Sequence, residues 1–300
     1  MSLSDRCPLT GKAGVVLRMR RSSELAGSYA THFGAALPDA IVAKYFTADV
    51  TEYYSSASGL RWYSPAVLGD GDYYSTLNSL YSWYYNPASW DKLEALAQIR
   101  NGGGGSVVEM GSGSGWLLEQ LRDHGISATG VEINAEAVSD CRNRGLDVLF
   151  PNELDTRPGG CDSLCLLQTI EHVEEPVALL KEAIRQLNPR TLVMSAPCFE
   201  SLLGYTSDPL SWPPHHATAW SARAFRTLAE ILNYRIATIT YSPISFSGLR
   251  QRLQTESPGG ISGIPDIADD WMGKLKFIAA RILRRHWACR GHSIFVVMER

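Results

Sequence analysis

SVVEMGSGSGWLLEQL, residues 106–121, reads as a short β-branched run, a glycine-rich turn and a helix whose apolar face carries Trp116, Leu117, Leu118 and Leu121. Glycines between a strand and a helix permit tight turning and close backbone approach to a ligand, so something binds at this turn. No Lys-Ser/Thr follows the glycines, which excludes a phosphate-cradling loop, and GKAG at 11–14 lacks the first glycine and the hydroxyl that such a loop needs. Glu109 places an acid at the strand end, where it is ill matched to a pyrophosphate and suited to a cation. Glu132 ends the next strand about 20 residues on, the distance at which a carboxylate accepts from ribose hydroxyls. An adenosine that carries positive charge fits all three features. An NAD-type dinucleotide is the second reading, and a turn used only for packing the third.

Outward from the turn the alternation continues. Strands are predicted at 128–133, 147–150, 161–168, 191–197, 235–242 and 292–300, with helices at 134–145, 175–187 and from 221. Strands alternating with helices imply right-handed crossovers and a parallel sheet covered on both faces. No helix-sized space follows 292–300, so the last two strands are expected to pair antiparallel, with 243–290 as an excursion between them. Before the turn, Trp90, Leu93, Leu96, Ala97 and Ile99 fall at helical spacing on one expected face. Residues 1–88 are rich in aromatics and serine with weak periods, and are read as a small irregular N-terminal region preceding a ligand-binding domain at 89–300.

EMGSGSG (109–115), VEIN (131–134) and QTIEHVEEPVALLKEAIRQLNP (168–189) together resemble successive motifs of the class I S-adenosylmethionine-dependent methyltransferases, especially the small-molecule branch that includes ubiquinone-biosynthesis and sugar methyltransferases. The resemblance covers about half the chain and implies a Rossmann-like, seven-stranded, mostly parallel sheet with an antiparallel last strand. It implies S-adenosylmethionine as cofactor and S-adenosylhomocysteine as product, the alternatives to a methyltransferase being an NAD-type oxidoreductase or a non-catalytic protein that binds S-adenosylmethionine without turnover. Gly111, Ser112, Gly113 and Gly115 would lie by the methionine part, near Glu109. Glu132 would hold the ribose and Ile133 flank the adenine. Asn152, Glu153 or Leu154 would approach the adenine amino group, and Gln168 and Thr169 the methionine end. Glu171-His172 often steadies this loop in the family. The four-cysteine zinc module that opens many sugar C-methyltransferases is matched only at Cys7 in CPLTG, a departure that weakens a nucleotide-sugar reading.

DPLSWPPHHATAWS (208–221) resembles a PPHH segment of the same branch and places His215 and His216 as candidates for a general base or a substrate-binding group. In an extended segment adjacent residues point apart, so at most one of them is expected to face the sulfonium. No metal is expected, because the nearby sequence offers no third ligand. The aromatic stretch with Tyr81, Trp83, Tyr84, Tyr85 and Trp90 is a candidate lid or pocket lining, the alternative being a small core of its own. The basic stripe at 271–287 is a candidate for surface contact with a membrane or an acidic partner, against ordinary packing on its own domain.

Composition bounds the rest. The 300 residues are 45% hydrophobic and 20% charged, which is globular, and the net charge of −3 recruits neither nucleic acid nor anionic lipid. A small-molecule substrate is therefore expected. Six cysteines show no disulfide spacing, Cys161 and Cys165 reading as buried apolar groups. No apolar run reaches membrane-spanning length and MSLSDRCPLT lacks a secretory pattern, so the cytoplasm is the expected compartment.

Overall fold

The computed structural model describes residues 5–84, 88–154, 159–200, 208–243 and 290–300. The excursion at 244–289, with its basic stripe and Cys289, lies outside the described residues, as does Tyr85.

The first stretch is not irregular. It forms β1 (Val15–Arg20), α1 (Ser22–Phe33), α2 (Asp39–Tyr45), β2 (Val50–Tyr54), β3 (Arg61–Ser64) and α3 (Gly71–Leu80). Its periods are weak because its aromatics serve two surfaces: Tyr29, Tyr45, Tyr73, Leu77 and Tyr81 make a core of their own, while Tyr53 and Trp62 turn to the main core. Asp70 starts α3 by accepting from the N–H groups of Asp72 and Tyr73, a side-chain cap that fixes the helix origin. Cys7 is buried, its Sγ 3.2 Å from the Ser58 hydroxyl.

α4 (Trp90–Asn101) leads into β4 (Val107–Met110), α5 (Trp116–Asp123), β5 (Ala128–Val131), α6 (Ala135–Asn143), β6 (Val148–Leu149), α7 (Pro151–Leu154), β7 (Ser163–Leu167), α8 (Pro176–Leu187) and β8 (Thr191–Pro197). β9 (Thr218–Ala219), α9 (Ala222–Leu232), β10 (Arg235–Pro243) and β11 (Arg290–Glu299) complete the described chain. The seven-stranded sheet runs β10-β11-β8-β7-β4-β5-β6. Strands β4 to β8 pair in parallel, and β11 is antiparallel to both β8 and β10, as expected. β9 instead joins a second sheet, β1-β2-β3-β9, tying the first 84 residues to the segment after β8.

The period of two along the central strands explains the layering. Leu164, Leu166, Leu192 and Met194 face one core with Leu180 of α8 and Phe225 and Leu228 of α9. Cys165, Leu167 and Val193 face the other with Leu96 and Ile99 of α4 and Leu117 and Leu121 of α5. Strands buried on both faces need helices on both, which is the parallel-sheet arrangement. The α4 face differs from expectation: Leu93 and Ala97 are exposed, and Asp91, Ala95, Leu96 and Ile99 are buried. Asp91 hides the true phase, because its carboxylate turns inward to accept from the Ser195 hydroxyl at 2.5 Å. The chain leaves β4 for β5 and β6 on one side and returns to β7 on the other. The strand order thus reverses at β4, and such a switch point opens a crevice at the carboxyl ends of the strands.

Candidate functional site

The glycine turn crosses that crevice. Gly111 has φ +76° and donates its N–H to the Val131 carbonyl. A Cβ there would meet the Thr169 hydroxyl at 2.4 Å, so the turn lies directly against the end of β7. Gly115, also left-handed, begins α5, and a Cβ on it would meet Leu146 and Cys141. Its side faces helix packing. Gly113 donates to Glu132 Oε2 at 2.8 Å, while Glu132 Oε1 accepts from the N–H groups of Ile133 and Asn134. Glu132 is thereby fixed at the end of β5 with part of its acceptor capacity still available, since a carboxylate offers about four lone-pair sites. Ile133 is half exposed on the rim.

Glu109 sits beneath the turn, buried, and its Oε2 has no hydrogen-bond partner among the described residues. Burial pushes its carboxyl up to about 8; Lys92 opposes the rise, and Asp91 and Glu132 add to it. An orphaned buried acid at this end of the strand fits a cationic ligand, and Glu132, with acceptor capacity left at the end of β5, fits one carrying ribose hydroxyls. Ser112 is likewise buried, its hydroxyl without a hydrogen-bond partner among the described residues. At the end of β7, Gln168 is held at φ +51°, its N–H and its side-chain amide both directed to Ser195. Thr169 donates to the carbonyls of Met110 and Leu167. Asn152 is exposed, Glu153 is drawn to the Phe150 N–H and Arg142, and Leu154 packs into the core.

The histidines depart from expectation in two ways. Residues 212–216 turn rather than extend, the N–H groups of His215 and His216 both reaching the Trp212 carbonyl. Both rings therefore lie on one side, 4.6 Å apart between centroids, instead of pointing apart. The third imidazole missing from the nearby sequence arrives from the short 3-10 turn Ile170–His172 after β7. His172 stands 4.7 Å from the His215 ring and 5.0 Å from that of His216. Its Nδ1–H donates to the His215 carbonyl at 2.6 Å, and His215 Nδ1–H donates to the Leu210 carbonyl at 3.0 Å. Carbonyls only accept, so each of these imidazoles keeps its hydrogen on Nδ1 and an acceptor at Nε2. Burial lowers all three, His172 to about 4 and the other two well below the ordinary histidine value, with mutual repulsion adding to the effect on His215 and His216. All three are neutral at neutral pH.

The N-terminal part closes over this cluster. Tyr84 donates its hydroxyl to His215 Nε2 at 2.8 Å, and the Tyr74 hydroxyl lies 3.1 Å from His172 Nδ1. Ser75 of α3 donates to Asn134 beside Ile133. Tyr74 and Glu171 were not singled out from the sequence as ligand-facing groups; the aromatic run was the one signal that pointed to the first. A narrow cavity of about 20 Å³ beside His216 is lined by Arg18, Glu52, Arg61 and Phe199. A wider one of about 490 Å³ lies at the opposite, amino-terminal end of the sheet, around Gly102–Gly105 and Arg190, where parallel sheets do not place their ligands.

A family model described as a methyltransferase domain matches residues 83–239. A ubiquinone biosynthesis O-methyltransferase of Methylococcus capsulatus is 27% identical over 154 residues, 48% of this chain and 60% of that protein. One from Idiomarina loihiensis is 26% identical over 95 residues, 29% of this chain and 39% of that protein. The chain thus spans less than two thirds of the length of these curated relatives. A solved S-adenosylmethionine-dependent methyltransferase from Archaeoglobus fulgidus is similar at 17% identity with a TM-score of 0.47, over 70% of this chain and 94% of that one.

Proposed function

This chain belongs to the methyltransferase-domain family of class I S-adenosylmethionine-dependent enzymes, and from that premise we propose that it methylates a hydroxyl of a small-molecule acceptor held between the strand ends and the histidine cluster. The observation that carries this reading is the set of three neutral imidazoles, buried His215 and His216 and half-buried His172, assembled from the loops after β7 and β8 at the same end of the sheet as the glycine turn. S-adenosylmethionine supplies an electrophilic methyl on a sulfonium, and transfer is an in-line displacement that needs chiefly alignment in a dry site.

The chain's own residues supply that alignment. Gly111 and Gly113 allow close backbone approach, Glu132 accepts from the ribose hydroxyls, and Glu109 faces positive charge. An imidazole held neutral accepts a hydrogen bond from the acceptor hydroxyl and takes its proton as the oxygen is alkylated. Tyr74 and Tyr84 cover the site and fix the rings. Relatives described as O-methyltransferases support oxygen as the accepting atom. A dinucleotide oxidoreductase is not favoured, since the buried acid under the turn opposes a pyrophosphate. The chain is proposed to act in the cytoplasm; no helix among its described residues is long and apolar enough to cross a membrane.

Calorimetric titration with S-adenosylmethionine, S-adenosylhomocysteine and NAD, repeated on Glu132→Ala, tests the cofactor half. Micromolar binding of the first two, weakened at least tenfold by the substitution, is expected. Labelled-methyl transfer to panels of phenols, sugars and amines tests the acceptor half, and transfer to amines alone would overturn it.

A further inference from the structure

The three imidazoles converge more closely than a lone base requires. One nitrogen from each of His172, His215 and His216 lies within 4.8 Å of the others. At Zn–N bonds of about 2.0–2.1 Å a tetrahedral site sets its nitrogens roughly 3.3 Å apart, so closing on an ion needs a contraction of about 1.5 Å. That contraction is available, because the His216 ring makes no side-chain hydrogen bond among the described residues. The other two rings are already oriented. Each donates Nδ1–H to a backbone carbonyl, which leaves the lone pair on Nε2, the outer-shell arrangement by which metal-binding histidines are usually held.

A second observation points the same way. Glu171 is buried, its Oε1 is 4.0 Å from His172 Nε2, and its Oε2 has no hydrogen-bond partner among the described residues. A buried carboxyl oxygen without a hydrogen-bond partner beside imidazole lone pairs is a polar group that nothing among the described residues compensates. A divalent ion among the imidazoles would compensate it. The cavity beside His216 has room for one water-sized ligand next to that ring.

We propose that His172, His215 and His216 form a site for a first-row divalent cation of the zinc or cobalt class, three imidazoles being the donor set that such ions prefer over magnesium or calcium. The cation displaces the hydrogen bond from Tyr84 to His215 Nε2. With a fourth position open it would bind the acceptor oxygen in place of an imidazole; that last role rests on the methyl-transfer reading, whereas the site itself does not.

The test uses the full chain, with any histidine tag removed, stripped by chelator and titrated with Co²⁺ and Zn²⁺. One Co²⁺ per chain, with the intense visible bands of a four-coordinate ion that Zn²⁺ abolishes, is expected. His172→Asn and His216→Asn should each weaken binding at least a hundredfold, and Tyr84→Phe, which removes the competing hydroxyl, should strengthen it a few-fold. Should either histidine variant fail to fold, the Tyr84→Phe result and the wild-type spectrum still decide. S-adenosylmethionine titration of the same samples separates the two readings: a folded protein that binds the cofactor but takes up no cobalt, or takes it up equally after both histidine substitutions, overturns the cation site and leaves the methyltransferase reading standing.

Discussion

Replacing Glu109 by Gln should stabilise the free protein and weaken its hold on the cofactor, with both effects set by pH. Burial raises the folded carboxyl to about 8 against an ordinary value of 4.5. Between those values the folded state binds a proton that the unfolded state has lost, so the contribution of Glu109 to stability declines as pH rises from about 4.5 and levels off above about 8. At 1.36 kcal/mol per unit the cost is about 4 kcal/mol near pH 7.5, an upper figure because the unfolded chain is not fully solvated. Glutamine carries no such cost. Urea unfolding of the two proteins at about pH 5.5, 7 and 8.5 should therefore show a stability gap in favour of Glu109→Gln that widens with pH. Cofactor affinity should move the other way, falling ten- to a hundredfold in the variant, and wild-type binding below pH 8 should release a proton, seen as a heat that depends on the ionisation enthalpy of the buffer. A gap that stays constant across this range, or binding that the substitution leaves intact, would refute the account of Glu109 as a buried acid awaiting a cation.

Other substitutions probe separate parts of the site. Gly111→Ala forces a Cβ against Thr169 at a left-handed φ and should lower stability by about 1–3 kcal/mol with loss of cofactor binding, read by thermal shift with and without S-adenosylmethionine. Ser195→Ala removes the hydroxyl that Asp91 accepts from and that holds Gln168, and should cost about 1–3 kcal/mol in urea unfolding while lowering turnover, because a buried carboxylate loses its partner. The histidines, held below their ordinary values by burial, should leave the kcat profile flat from about pH 6 to 8 on their account. An activity loss with a midpoint near 6.5 would show that the operative imidazole is solvated instead.

The parallel core was legible because every central strand is flanked by helices and bounded by glycine, proline or asparagine, and because strands buried on both faces are continuously apolar in a way that few other elements are. The antiparallel pairing of β10 and β11 was legible through the family resemblance, which implies an antiparallel last strand, and not through any local period. The α4 face was misread at Leu93 and Ala97 because a buried aspartate looks, in sequence, like a solvent-facing one; its partner Ser195 is 104 residues away. The N-terminal part was opaque for a related reason. Its sheet is completed by β9, which pairs with β3 across more than 150 residues, so no local period reveals its register.

The histidine cluster shows the same limit at the site itself. His215 and His216 stand out as a pair in sequence, but the expectation that one would face away assumed an extended backbone, and two hydrogen bonds to the Trp212 carbonyl turn that backbone instead. His172 lies 43 residues before His215, and what joins them is the parallel pairing of β7 with β8, which brings the loops after the two strands to one end of the sheet. Any side chain placed just past β7 is thereby set beside one placed past β8. A sheet of this topology converts residues separated in sequence into a single polar cluster, and the chemistry of that cluster depends on the number of lone pairs gathered there, which neither loop shows alone.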